Sequence, residues 1–407
     1  METVTIKKEF LEEAEILARG AEVLPGGIEE LALKLQKAKE ENKPLRIKLG
    51  MDPSRPDLHL GHTVVLRKVK KFQELGHKII LIVGGGTAMI GDPSGKSDTR
   101  PSLTKEQVEE NARTYFEQIS KVVDVDNAEI VNNSDWLFKL NFVDMIKLAS
   151  KVTVAQIMTR DDFAKRFAEN RPISVHEFFY PLMQAYDSVV VDADTEFGGT
   201  DQRFNNLLGR DIQAAYGKEN PQMVILLPLL EGTDGVVKMS KSFPQHCISL
   251  TDSPNDMYGK LMSISDNLII KYFALLTDIS KEELNKLEEE IKTENPRDLK
   301  MRLAYTITKM YNGEQAANQA QENFVKVVQN KEIPDDIPEV KISEAVSLID
   351  FISNFDKSLS RGDIKRLAAS GAIKINGEKQ PNPGFIIETN TLPVVIQYGK
   401  RKYIKGV

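Results

Sequence analysis

The stretch "LRIKLGMDPSRPDLHLGHTVVLRKVKKFQELGHKIILIVGGG", residues 45–86, decides the fold. It opens extended and largely apolar, sets Val, Leu and Phe at helical spacing up to Gly76, and ends in an apolar run closed by three glycines. Strand, helix and strand in that order make a β-α-β unit, whose strands lie parallel and are joined by a right-handed crossover. Ligands collect beyond the carboxyl ends of such strands. Both "DPSRPDLHLGH" (52–62) and "GGGTAMIGDPSGKS" (84–97) stand at those ends.

His59 and His62, three residues apart, share one face of a helix start. Zinc would need a third ligand; His77, His176 and His246 follow no ligand pattern, and no Glu separates the pair as in a metalloprotease helix. A second reading is ordinary packing after a proline-rich turn. A third is phosphate binding, because a helix N-terminus directs unpaired N–H groups and positive dipole at whatever lies above the sheet. The loop "GDPSGKS" (91–97) fails as a P-loop, since Ile90 occupies the place of the required first glycine, and Met89 breaks the dinucleotide fingerprint. It reads as a flexible Gly/Pro loop presenting Asp92 and Lys96, or as a plain surface turn.

Working outward, residues 9–23 and 28–41 read as amphipathic helices broken by "LPGG", and 105–150 reads as helical. From His176 to Gly217 the pattern runs helix, strand, glycine turn, helix, and "QMVILLPLLEG" (222–232) is a further buried strand. A doubly wound parallel, Rossmann-type α/β sheet with an inserted helical segment is therefore expected over 1–248. Strand signals vanish from 249 to 332, which implies an all-α domain. The proline-broken stretch 333–340 reads as a linker into a small α+β domain, 341–407.

Composition sets outer bounds. At 407 residues, with 41% hydrophobic and 28% charged, the chain is of globular type and long enough for two or three cores. Its only cysteine, Cys247, excludes an intrachain disulfide and a cysteine-rich zinc site, and suits a reducing cytoplasm. The apolar run "IILIV" (79–83) is far too short to span a membrane, so no membrane partner is expected. The net charge of −6 is uneven: residues 341–407 hold eleven Lys and Arg against six Asp and Glu. A basic tail on an acidic body is either a solvated surface or a polyanion-binding appendage.

"KMSKS", Lys238 to Ser242, follows the late strand. With "HLGH" upstream on the same expected sheet, it gives the chain its resemblance to class I aminoacyl-tRNA synthetases, in which the two signatures flank an ATP site. "YPLMQAYD" (180–187), "GGTDQRFN" (198–205) and "GGGTAMIGDPSGK" (84–96) narrow this: from about residue 28 to the end the chain resembles the tyrosyl-tRNA synthetases of bacterial type. Tyr180, Gln184 and Asp187 fall at i, i+4 and i+7, on one helix face.

The resemblance implies tyrosine activation by ATP and transfer to tRNA(Tyr), with Mg²⁺ accompanying the nucleotide and a homodimer as the assembly. By the same resemblance Tyr180, Gln184 and Asp92 would hold the substrate ammonium, Asp187 would accept the phenol hydrogen bond, and Thr87 and Gln202 would complete the tyrosine site. His59, His62, Lys238, Lys241, Lys96 and Arg100 would stabilise the departing pyrophosphate. Asp52, Ser54, Gly61, Asp201, Met239, Ser240 and Ser242 would line the ATP site. No protein-held metal is implied. The tail resembles an S4-type RNA-binding domain, with Arg361, Lys365 and Arg366 facing RNA phosphates. One position departs: members place a second phenol-binding tyrosine where this chain has Lys48. The rivals are a tryptophanyl enzyme, which lacks such a tail, and a noncatalytic RNA-binding relative.

Overall fold

A computed structural model describes residues 5–52, 57–89, 105–329, 337–399 and 402–407. Ser54, Asp92, Lys96 and Arg100 lie outside the described residues. The chain forms two compact units, Met1–Glu314 and Gln315–Val407.

In the first unit six strands, β1 (Glu22–Leu24), β2 (Arg46–Met51), β3 (Lys78–Val83), β4 (Glu129–Asn132), β5 (Thr195–Gly199) and β6 (Met223–Leu227), make one sheet in the order β1-β6-β5-β2-β3-β4. All neighbours are parallel except β1, which runs antiparallel to β6. The order reverses between β2 and β5, so the carboxyl ends of these strands open a crevice. Runs such as "IILIV" and "MVILL" are buried along their whole length because helices cover both faces, which removes the polar alternation of a half-exposed strand.

Two strands differ from the sequence expectation. The first helix stops at Ala18, before Gly20 at φ +71°, and Glu22–Leu24 joins the sheet edge. The stretch 105–150 is not one helical run: a helix spans Lys105–Ile119, then β4 forms within "AEIVNN". A four-residue edge strand without a fully buried residue carries too weak a periodic signal to be read locally.

Beyond the sheet, helices fill Pro254–Asn312, with no strand among these residues. They belong to the same compact unit as the sheet, so the expected boundary at 248/249 does not coincide with the observed division. Tyr272 donates to the Glu231 carbonyl and Lys271 pairs with Glu231, tying the helix Ile269–Leu276 to the segment after β6.

The second unit contains β7 (Glu339–Val340), β8 (Val346–Ser347), β9 (Ile373–Ile375), β10 (Glu378–Lys379), β11 (Ile386–Ile387), β12 (Val394–Tyr398) and β13 (Lys402–Gly406). Five of them form a sheet ordered β10-β9-β12-β13-β7, and β8 pairs with β11. The helices Leu348–Phe355 and Arg361–Ala369 bury Leu348, Ile352, Ile364 and Ala368 against Ile373, Ile396 and Ile404. Asn376 and Gly377 turn the β9–β10 hairpin, both with positive φ, as the "NG" pair predicts for a type I′ turn. β7 lies at the end of the expected linker and is paired with β13 instead.

Candidate active site

His59 caps the helix Leu60–Glu74 that leaves the crevice. Its Nδ1 accepts from the Gly61 N–H at 3.2 Å, and the His62 Nδ1 accepts from the His59 N–H at 3.1 Å. This reciprocal cap does with two imidazoles what Ser and Glu do in a common capping box. The rings lie 3.9 Å apart, centroid to centroid. A Cβ on Gly61 would come within 2.9 Å of the His59 ring, so glycine is what permits this approach. Burial is the first cause holding both imidazoles below the ordinary histidine range; the positive Lys241 and Lys238 add to it, and His62 is brought to about 4. Both rings are neutral at pH 7.

The "KMSKS" segment approaches the same place. The Leu60 N–H donates to the Ile248 carbonyl (3.0 Å) and the Leu250 N–H to the Leu58 carbonyl (2.9 Å), an antiparallel bridge of His59 to Ser249 just after the loop. The loop's base is fixed by the Met239 N–H on the Leu230 carbonyl (2.7 Å) and a bridge of Glu231 to Lys238. Lys238 pairs with Asp201 at 2.9 Å, and the Lys241 ammonium lies 5.3 Å from the Tyr115 ring centre. Two stretches nearly two hundred positions apart thus share one corner of the crevice.

The other wall is built from the helix Phe179–Val190. Tyr180 donates to Asp52 Oδ2 and Thr87 to Asp52 Oδ1, each at 2.8 Å. Gly84 makes room for that carboxylate, since a Cβ there would fall 1.8 Å from Asp52 Oδ1. Gln184 accepts from Asn205, which also donates to Gln202. Asp187 is enclosed, with Trp136 Nε1 at 2.8 Å and Asn133 Nδ2 at 3.1 Å donating to its two oxygens. Burial raises its carboxyl to about 7, against the lowering pull of Lys48, Asn133 and Trp136.

This arrangement can be set beside known proteins. The family of class I tRNA synthetases for tryptophan and tyrosine matches residues 39–329. The tyrosine–tRNA ligase of Carboxydothermus hydrogenoformans is 50% identical over 98% of this chain and 98% of its own. That of Thermotoga maritima is 53% identical over 91% and 92%. The chain belongs to the tyrosine–tRNA ligases. Their class I fold is seen in the Archaeoglobus fulgidus tyrosyl-tRNA synthetase complexed with L-tyrosine (TM-score 0.62, 23% identity, 77% of this chain and 99% of that one). It is seen also in a C-terminally truncated mitochondrial enzyme of Aspergillus nidulans (TM-score 0.63, 20% identity, 79% and 94%).

In this tyrosine–tRNA ligase the stretches expected to form the site meet at one crevice, and residues not expected there support them. Asp52, expected beside the nucleotide, is hydrogen-bonded to Thr87 and Tyr180, which were expected at the amino acid. Asn133, Trp136, Glu196 and Asn206 went unread. Glu196 pairs with the fully buried Lys48 at 2.9 Å and contacts Gln184 and Ser188. Asn206 accepts from Gln184 at 3.1 Å. A signal existed for the pair: opposite charges in the apolar strands "RIKLGM" and "TEFGG" demand partners once buried. In the second unit Arg361 pairs with Asp350 and Arg366 with Asp363, while Lys365 is exposed on the same helix.

Proposed function

We propose that this crevice activates tyrosine with ATP to tyrosyl-adenylate and transfers the tyrosyl group to the 3′ end of tRNA(Tyr). The observation that carries the reading is the bridge of His59 to Ser249, which holds the imidazole pair against the segment just after the lysine loop. The tyrosine carboxylate attacks the α-phosphorus in line; the new O–P bond forms as the bond to pyrophosphate breaks. A terminal ribose hydroxyl of the tRNA then attacks the activated carbonyl and AMP departs. The protein supplies positioning and charge.

With both Nδ1 atoms accepting backbone N–H groups, each neutral ring keeps its proton on Nε2 and donates it to a phosphate oxygen. Lys238 and Lys241 bring positive charge from the neighbouring loop, and Lys96 and Arg100 complete the set in this reading. Gly61, Met239, Ser240 and Ser242 line the nucleotide, with Ser54 beside them, and Asp201 meets the ribose. Asp52 fixes Thr87 and Tyr180, while Tyr180, Gln184 and Asp92 take the ammonium and Gln202 adjoins the substrate. Asp187 accepts the phenol hydrogen bond; phenylalanine would leave that buried group unanswered, a discrimination for which tyrosyl enzymes are themselves the reference case.

Mg²⁺ enters as the counter-ion of ATP. Among the described residues no group of three or more His, Cys, Asp or Glu side chains could hold a metal. A homodimer is supported by the inserted segment, where Phe142 (80%), Val175 (73%), Phe167 (70%) and Val154 (65%) are exposed, an apolar surface that a second copy would cover. Among the described residues no helix is long and apolar enough to cross a membrane; the assignment to a reducing cytoplasm rests on the single cysteine, Cys247. The second unit acts as an S4-type RNA module through Arg361, Lys365 and Arg366, with affinity that falls as salt rises.

ATP–pyrophosphate exchange with tyrosine, tryptophan and phenylalanine tests the reading: tyrosine alone should support fast exchange, and exchange with tryptophan only, or with none, would refute it. Removing residues 341–407 should impair tRNA charging and spare exchange.

A further inference from the structure

The middle of β2 is a place where an apolar residue would cost least, yet it holds a lysine. Lys48 is fully buried and stands in direct register with Glu196 on β5. A buried ion pair contributes little to stability beside two well-packed apolar side chains, because desolvating both charges offsets their attraction. Stability alone does not account for it.

An ammonium has three N–H donors, and Lys48 meets three acceptors: the Gln184 carbonyl at 2.9 Å, the Ser188 hydroxyl at 2.7 Å and Glu196 at 2.9 Å. None is left for a ligand, so Lys48 does not itself contact a substrate phenol. Two of the three acceptors lie one turn apart on the helix Phe179–Val190 and flank Asp187. Glu196 grips the same turn, accepting from Ser188 Oγ at 3.2 Å and from Gln184 Nε2 at 3.4 Å. The turn 184–188 is thereby clamped against two strands by a single charged pair.

We propose that Lys48 is a positioning residue for recognition of the substrate phenol: with Glu196 it fixes the turn that carries Gln184 and Asp187, and it supplies the positive charge beside Asp187. The inference rests on the crevice being the tyrosine site. Among the described residues the groups facing Asp187 are Lys48 from β2, Glu196 from β5, and the uncharged Asn133 and Trp136 after β4. Lys48 is the positive one among them, and it favours the carboxylate that burial disfavours.

The test compares the unmodified chain, Lys48→Met and Lys48→Met/Glu196→Gln in pyrophosphate exchange and thermal melting. Lys48→Met should raise the KM for tyrosine about tenfold or more, the scale of one lost charge-assisted contact, while the KM for ATP stays within about twofold. The double variant removes the orphaned carboxylate, so its Tm should recover toward that of the unmodified chain while its tyrosine KM stays raised. If the double variant regains both, or if folded Lys48→Met keeps the original tyrosine KM, the pair is structural and the proposal falls. Should Lys48→Met not fold, the double variant alone decides. Failure of the unmodified chain to exchange with tyrosine would instead overturn the reading of the site.

Discussion

The two walls of the crevice, one proposed to hold the nucleotide and the other the amino acid, are held by different means. On the nucleotide side, backbone groups orient the functional side chains: imidazoles capping a helix, lysines on a loop anchored by main-chain bridges. On the amino-acid side, side chains hold side chains in a closed interior, and nearly every polar atom of Lys48, Glu196 and Asp187 is engaged. A wall of the first kind can lose a side chain and keep its shape. One of the second kind cannot, because each removal strands a desolvated partner.

The largest effect expected from this contrast is on stability. Glu196→Gln leaves the Lys48 ammonium buried without its counter-charge and should cost about 3–5 kcal/mol, read from the urea midpoint. A loss below about 1 kcal/mol would erase the distinction between the walls. Lys238→Ala should do the opposite. Its pair with Asp201 is partly exposed and contributes at most about 1 kcal/mol, but a charge aimed at the leaving group is worth about 100- to 1000-fold in the rate of adenylate formation. Pre-steady-state exchange separates this from binding; a raised tyrosine KM at unchanged rate would sink it.

Acid should sharpen the comparison further. His62 titrates at about 4 in the fold and near 6.5 when unfolded, so between those values the unfolded chain binds more protons. Stability is then complete above pH 6.5 and lost as pH falls through about 4, by on the order of 1–2 kcal/mol at pH 5. His62→Gln should lower that slope in melts taken from pH 5 to 7.5, leaving the share of His59 and His77, which burial also holds below the ordinary histidine range. The smallest effect belongs to Gly61→Ala. The added Cβ displaces the His59 ring, and the exchange rate should fall about tenfold, equivalent to one weakened donor, with Tm nearly unchanged.

The same contrast governs what could be read from the sequence. The nucleotide wall was legible because its chemistry is local: His59 and His62 sit three apart at a strand-to-helix junction, and Lys238 to Ser242 form one contiguous string. β2, β3 and β6 announced themselves as unbroken apolar runs. The amino-acid wall was legible only along the face of Tyr180, Gln184 and Asp187. Its supports come from distant segments, with Asn133 and Asp187 fifty-four positions apart and Lys48 and Ser188 one hundred and forty, and no period connects them. β4, which delivers Asn133 and Trp136, is short and half-exposed, so propensity gave it no voice.

The reciprocal cap at the start of the helix Leu60–Glu74 carries one more consequence. Each ring has its Nδ1 committed to an amide hydrogen, so its single proton has one seat, on Nε2. In their proposed role the two histidines are therefore fixed electrodes, not proton carriers: adenylate formation should run with a solvent deuterium isotope effect close to unity, and any change of rate through about pH 7 should follow the Asp187 carboxyl rather than an imidazole.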